Sequence, residues 1–316
     1  MIEFKKETEI NVRNISLALG GRGSKGFAHI GIIRQLEKLG FEIKAIAGTS
    51  AGGIVGALYS YGFSIEEIIS FSRNLNYSDL INRSHQDAPS LLGLGGLYKH
   101  IDKFLGNTKI EFLKLKFASI SVDTNFGKEV ILNSGSVVNA IKATTAVPGI
   151  FPALRIKELN LVDGGVLDPM PVLTARWLKP KLPVFAVSLT PQMEIWPNVP
   201  RLDIPPYVPI PQFLVEQLNQ FRIGQAMHVF IDSMEIMVNK VADLRLKLEK
   251  PDVIIRPKVH KYTMFDNVNV DEMIYLGEQA ILESTREIET VFSVSNRLDC
   301  WFKMANSPGI LVSELR

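Results

Sequence analysis

Five residues, Gly48-Thr49-Ser50-Ala51-Gly52, constrain this chain more than any other stretch, because Gly-x-Ser-x-Gly here lies where an apolar strand must turn sharply into a helix. Residues 41–47 (FEIKAIA) alternate enough for a strand, and Ile54, Val55, Leu58 and Tyr61 follow at helical spacing. Such an elbow forces the serine into a strained backbone conformation and exposes its hydroxyl, while glycines two residues to either side let strand and helix pack closely. The same pentapeptide also occurs in ordinary turns, so the rest of the chain must distinguish a nucleophile from a bend.

Upstream, residues 14–19 read as a short strand, followed by Gly20-Gly21-Arg22-Gly23-Ser24-Lys25-Gly26. A helix comes next, with Phe27, Ile30, Ile33, Leu36 and Leu39 at three-residue intervals and Gly40 to stop it. A glycine-rich loop feeding a helix aims backbone N–H groups outward beside the positive helix end, so it suits an anion. A nucleotide phosphate is one candidate. The P-loop pattern is not met, since Gly26 rather than Ser or Thr follows Lys25. Gly21-x-Gly23-x-x-Gly26 has dinucleotide spacing, but the elbow occupies the place where an acidic residue would end the second strand. The other candidate is the oxyanion of an acyl transfer, which needs preorganised donors. A phosphate- or nucleotide-binding regulatory protein and a ligand-free turn are the alternatives at this point.

Downstream, Ser64-Ile65-Glu66-Glu67 is a capping box that opens a helix to about Asn74. Residues 90–98 (SLLGLGGLY) read as a surface connection packed by its leucines, the alternative being a flexible wall or lid of an apolar acyl pocket. Residues 116–123 and 128–132 form a hairpin around the turn at 124–127, and Ser136 caps a helix to about Ala146. The turn at 147–152 (VPGIFP) either lines a site or packs the core. Residues 158–162 make a strand that ends in Asp163-Gly164-Gly165, a carboxylate with unobstructed approach, although Asp-Gly is also a common turn signal. None of the five histidines (29, 85, 100, 228 and 260) sits at a strand end beside a glycine turn, yet a Ser-His arrangement stays open because sequence does not give spatial neighbours.

With the glycine loop, the serine elbow and the Asp-Gly-Gly turn in that order, the chain resembles the patatin-like phospholipase family over about residues 14–190, and more loosely to about 280. The resemblance implies an α/β, three-layer α/β/α fold with a mostly parallel central sheet. It implies a Ser-Asp dyad in which Ser50 is the nucleophile and Asp163 activates it, and an oxyanion hole made by the backbone N–H groups of Gly21, Arg22, Gly23 and Ser24. Gly48, Gly52, Lys25, Gly26, Gly164 and Gly165 would support these motifs. Arg22 stands where the family often has glycine, which requires an ordinary φ there. The implied activity is hydrolysis of phospholipid or lysophospholipid acyl esters through an acyl-enzyme, without cofactor or metal; an acyltransferase or thioesterase would use the same intermediate. An aspartate titrating near 4 is a poor base for a hydroxyl, so the dyad also demands a desolvated site.

The remaining expectations come from composition and pattern. With 35 basic against 33 acidic residues, nothing points to nucleic acid, and the single Cys300 excludes an intrachain disulfide. Residues 45–65 carry no charge, but their glycines and hydroxyls make them strand, elbow and helix rather than a membrane span. The N-terminal residues lack the apolar core of a signal peptide, so the expected placement is cytoplasmic, with peripheral membrane contact compatible with a lipid substrate. The expected organisation is an extension at 1–13, the α/β domain at 14–290 with its catalytic motifs within 14–190, and a docking segment at 291–316 that holds Cys300, Trp301 and Phe302. Residues 184–189 and 252–256 read as strands, 196–211 hold six prolines, and 271–292 read as one helix. Residues 212–250 read as one long helix or two, with Met227, Ile231, Met234, Val238, Val241 and Leu248 as a core-facing stripe; the alternative is a methionine-rich lid or membrane-facing surface.

Overall fold

The computed structural model describes residues 13–75, 88–191, 222–293 and 308–311, and only the backbone of 222–228. His85, the proline-rich segment, the side chains of Met227 and His228, and Cys300, Trp301 and Phe302 lie outside the described residues.

The strands are β1 (Arg13–Leu19), β2 (Phe41–Thr49), β3 (Lys116–Asp123), β4 (Lys128–Leu132), β5 (Leu154–Ile156), β6 (Leu159–Asp163), β7 (Val184–Val187), β8 (Val253–Ile255) and β9 (Ile310–Leu311). They form one sheet in the order β5-β6-β3-β2-β1-β7-β8, with β4 on β3 and β9 on β4. The central ladders β3-β2, β2-β1, β1-β7 and β7-β8 are parallel, and the hairpins at one end are antiparallel. The helices are α1 (Ala28–Lys38), α2 (Ala51–Tyr61), α3 (Ile65–Arg73), α4 (Gly95–Leu105), α5 (Val137–Thr144), α6 (Val172–Leu178), α7 (Arg222–Glu249), α8 (Val270–Glu283) and α9 (Thr285–Val291).

Period-two alternation in the strands creates two unequal faces. Ile15, Leu17 and Leu19 of β1 and Phe185 and Val187 of β7 point into the larger core with α1, α2 and α8. Ala18, Ala47, Val184 and Ala186 face the other way and admit α6 and the C-terminal part of α7. Helices therefore cover both sheet faces, as parallel strands buried on both sides require. The expected capping box is present, with Ser64 accepting from the Glu67 N–H and Glu67 accepting from the Ser64 N–H. The region expected as one helix at 271–292 is two, because Ser284 (φ −88°, ψ 2°) ends α8 and starts α9. This break turns Ile288 and Val291 inward and brings Phe292 against Phe41 and Phe185.

Helices α1 and α8 cross with their backbones almost touching. A Cβ on Gly31 would lie 1.9 Å from the Ile274 carbonyl oxygen, and one on Gly277 would lie 2.1 Å from that of Ala28. Gly277→Leu must push the helices apart, and is expected to destabilise the fold by about 3 kcal/mol, read as a lower urea midpoint at unchanged slope.

One feature of the sheet sets the site. β4 pairs with residues 119–123 of β3, so it lies on the edge opposite both β2, which pairs with 116–120, and β6, which pairs with 121–123. β2 and β6 therefore share one edge of β3 end to end. Their termini meet there, Thr49 beside Ile120 and Asp163 beside Ser121.

Candidate active site

Ser50 follows Thr49 directly, so the shared edge brings it to Asp163 across 113 positions of sequence. Its backbone has φ 53° and ψ −121°, a region that costs a non-glycine residue on the order of 1–3 kcal/mol. The surroundings hold it there. The Ser50 N–H donates to Thr144 Oγ1 at 2.9 Å, and the neighbouring Thr49 hydroxyl donates to the Asp168 carbonyl at 2.8 Å. Close approach explains the glycines: a Cβ on Gly52 would lie 2.2 Å from the Leu19 carbonyl oxygen, and one on Gly48 would lie 2.5 Å from that of Gly52.

The Ser50 side chain hydrogen-bonds Asp163, which also accepts the Gly165 N–H at 2.7 Å. Gly164 sits against the Ile120 carbonyl, where a Cβ would come within 2.6 Å. Burial pushes the Asp163 carboxyl up to about 6, against the Ser50 and Gly165 hydrogen bonds and the Arg22 charge, which pull it down. Desolvation thus makes this aspartate a stronger base than its type ordinarily is.

The glycine loop folds over the same point. A Cβ on Gly21 would lie 2.8 Å from Ser50 Cβ, and Gly26 packs on Ala51. Arg22 has φ 166°, extended backbone open to any residue, so the arginine at a glycine position is accommodated. Gly23 has φ 54° and lies where a Cβ would be 2.0 Å from the Met264 carbonyl oxygen, which excludes any side chain. The Ser24 N–H donates to that Met264 carbonyl at 3.0 Å, whereas the N–H groups of Gly21 and Arg22 meet no backbone acceptor among the described residues. His29 is fully buried with Nε2 on the Gly20 carbonyl at 2.8 Å, and burial lowers it to about 4, so it is a neutral support of the loop. None of the histidines whose side chains are described lines the space around Ser50.

Two cavities meet at Ser50. One, of about 140 Å³, runs along α2 past Ile54, Val55 and Leu58 and is closed by Phe71, Leu97 and Phe265. The other, of about 80 Å³, lies over Asp163 and is bounded by Ile150, Phe230, Ile231, Met234 and Val238. Leu94 and Leu97 put the expected surface connection in a cavity wall, part of it as α4, and Val147 and Phe151 do the same for the proline turn. The α7 stripe divides rather than facing the core as a whole: Ile231, Met234 and Val238 face the second cavity, while Leu248 is 77% exposed.

Arg22 was legible only as a departure from glycine. Its buried guanidinium lies 3.3 Å from Glu235 and hydrogen-bonds Asn239, tying the loop to α7. Burial lowers its affinity for the proton, and the Glu235 and Asp163 charges oppose that. Lys25, also buried, is brought down to about 8 by desolvation and by Arg22. Glu235→Ala leaves the Arg22 charge without its carboxylate, and is expected to cost about 3 kcal/mol in urea denaturation, with Glu235→Gln costing less.

A family model described as Patatin-like phospholipase matches residues 17–176, 160 of the 316 in the chain. The chain belongs to the patatin-like phospholipase family. Among patatin-like relatives, an uncharacterized NTE family protein of Mycobacterium bovis is 32% identical over 193 residues, covering 58% of this chain and 53% of its own length. Lysophospholipase NTE1 of Pyricularia oryzae is 26% identical over 294 residues, 87% of this chain and 19% of that protein. This chain thus spans about half the length of that Mycobacterium bovis relative and a smaller share of others. Among solved structures, VipD from Legionella pneumophila superposes with a TM-score of 0.53 at 12% identity, over 88% of this chain and 67% of that one, a likeness of fold. Among the described residues, no helix is long and apolar enough to cross a membrane.

Proposed function

We propose that this chain hydrolyses lipid acyl esters through a Ser50–Asp163 dyad. The observation that carries the reading is a strained serine, hydrogen-bonded to a buried aspartate whose basicity is raised, at the junction of two largely apolar cavities. Asp163 takes the proton as Ser50 Oγ attacks the ester carbonyl. The N–H groups of Gly21, Arg22 and Gly23 stabilise the resulting oxyanion; each such donor is worth about 3 kcal/mol of barrier. Ser24 has a smaller claim on this role because its N–H is already bonded to Met264. Collapse expels the alcohol, which takes the proton from Asp163 and leaves an acyl-Ser50 ester. Water then attacks that ester, with Asp163 again accepting and returning the proton.

The acyl chain fits the cavity along α2, whose wall is aliphatic and aromatic. The name of the Pyricularia oryzae relative makes a lysophospholipid the first substrate to test. The phosphate-binding alternative loses support because both cations of the loop, Arg22 and Lys25, are buried, with Arg22 committed to Glu235. Purified protein should release fatty acid from lysophosphatidylcholine, and a fluorophosphonate should stop it in proportion to labelling of Ser50. Fatty-acid release that persists after Ser50 is fully labelled would sink the reading.

A further inference from the structure

The outer face of α7 is turned away from the core. Val229, Phe230, Ile236, Met237, Leu244 and Leu248 are exposed along it, with Val229 at 66%, Met237 at 52% and Leu248 at 77%. Their spacing, mainly of four and seven residues, keeps them on one side of a helix, over a length of about 28 Å at the usual helical rise. Among the described side chains, Ser233, Lys240 and Lys247 are the other exposed ones of that side. The nearest acids, Asp232 and Asp243, sit at its margin and are half-buried, Asp243 beside Arg256 at 3.9 Å. The face is therefore apolar and cationic without an exposed carboxylate among them. Apolar exposure of this extent on one element marks an interaction surface.

We infer that this face of α7 docks on an anionic lipid surface, with the helix lying in the plane of the interface. Two observations select that occupant. First, a second copy of the same face would bring Lys240 and Lys247 against like charges, whereas anionic head groups supply the missing counter-charge and acyl chains take the apolar side chains. Second, the face is continuous with the second cavity, because Phe230 is 48% exposed and also lines the space over Asp163. A lipid at the docked surface stands at the cavity mouth. The inference concerns binding alone and does not require Ser50 to react.

The test is co-sedimentation of the full chain, carrying Ser50→Ala so that the vesicles stay intact, with phosphatidylcholine vesicles containing phosphatidylglycerol. Binding is expected, with Met237→Glu/Leu244→Glu lowering it by about tenfold or more. Lys240→Glu/Lys247→Glu should lose binding to the mixed vesicles but not any residual binding to pure phosphatidylcholine. Unchanged thermal unfolding of both variants would show that the surface, not the fold, has been altered; the second pair substitutes solvated side chains and keeps the test open if the first unfolds. Absence of binding by the unmodified face, or binding of both variants to the mixed vesicles equal to that of the parent, overturns the inference. So does light scattering that finds a dimer which Met237→Glu/Leu244→Glu converts to a monomer, since the face would then be a contact between copies. Failure of vesicle binding leaves hydrolysis of soluble esters untouched, whereas failure of the dyad leaves vesicle binding untouched.

Discussion

Ser50→Ala is expected to lower kcat for acyl-ester hydrolysis by about four orders of magnitude. The substitution removes the only atom that can carry the acyl group, yet leaves the loop at Gly21–Gly23 and both cavities as they are, so substrate affinity should change little. Stopped-flow release of p-nitrophenol from a medium-chain ester separates the two quantities, since the loss should appear in kcat and not in KM. A companion variant separates chemistry from strain. Ser50→Gly also abolishes turnover, but it relieves the φ of 53° that serine is forced to adopt, so it should raise stability by about 1 kcal/mol, whereas Ser50→Ala should not.

Asp163→Asn is expected to lower kcat by about three to four orders of magnitude, because the amide can hold the Ser50 hydroxyl but cannot accept its proton. The same group sets the pH profile. The acting form is the carboxylate and its folded pKa is raised to about 6, so kcat/KM should be full above that value and fall as pH drops through it, by about tenfold per unit on the acid side. The direction follows from the cause: burial favours the neutral acid, so activity fails at a higher pH than an ordinary aspartate would allow. The residual activity of Asp163→Asn should lack this limb. A profile flat between pH 5 and pH 7 (about one unit either side of the shifted value) would remove Asp163 from the role of base.

The parts of this site that were legible in the sequence are those whose backbone leaves no choice of residue. Gly52 lies under the Leu19 carbonyl and Gly23 under that of Met264, so the elbow and the loop leave glycines at fixed spacing. The Ser64 capping box was legible for the same reason, being a local hydrogen-bond exchange over four residues. The meeting of Ser50 with Asp163 is not local. It depends on β2 and β6 sharing an edge of β3, and nothing within either segment encodes the neighbour. The cavities are further from view, because helical spacing puts apolar residues on one face without saying whether that face meets a core, a cavity or solvent. Ile231, Met234 and Val238 of α7 look over a cavity while Leu248 of the same helix meets solvent, and periodicity alone had joined them. Arg22 is the reverse case. Its departure from glycine was visible, but its purpose depends on Glu235 and Asn239, more than 200 residues away.

The account rests on one covalent event, the transfer of an acyl group to Ser50 with Asp163 as the proton acceptor. Rapid quenching of the chain with a long-chain p-nitrophenyl ester, followed by peptide mass mapping, measures it directly. The account predicts a burst of nitrophenol that approaches one equivalent, an acyl adduct on the peptide containing Ser50, and an adduct that forms far more slowly in Asp163→Asn. An adduct on another residue, or ester hydrolysis at full rate in Ser50→Ala, would contradict it.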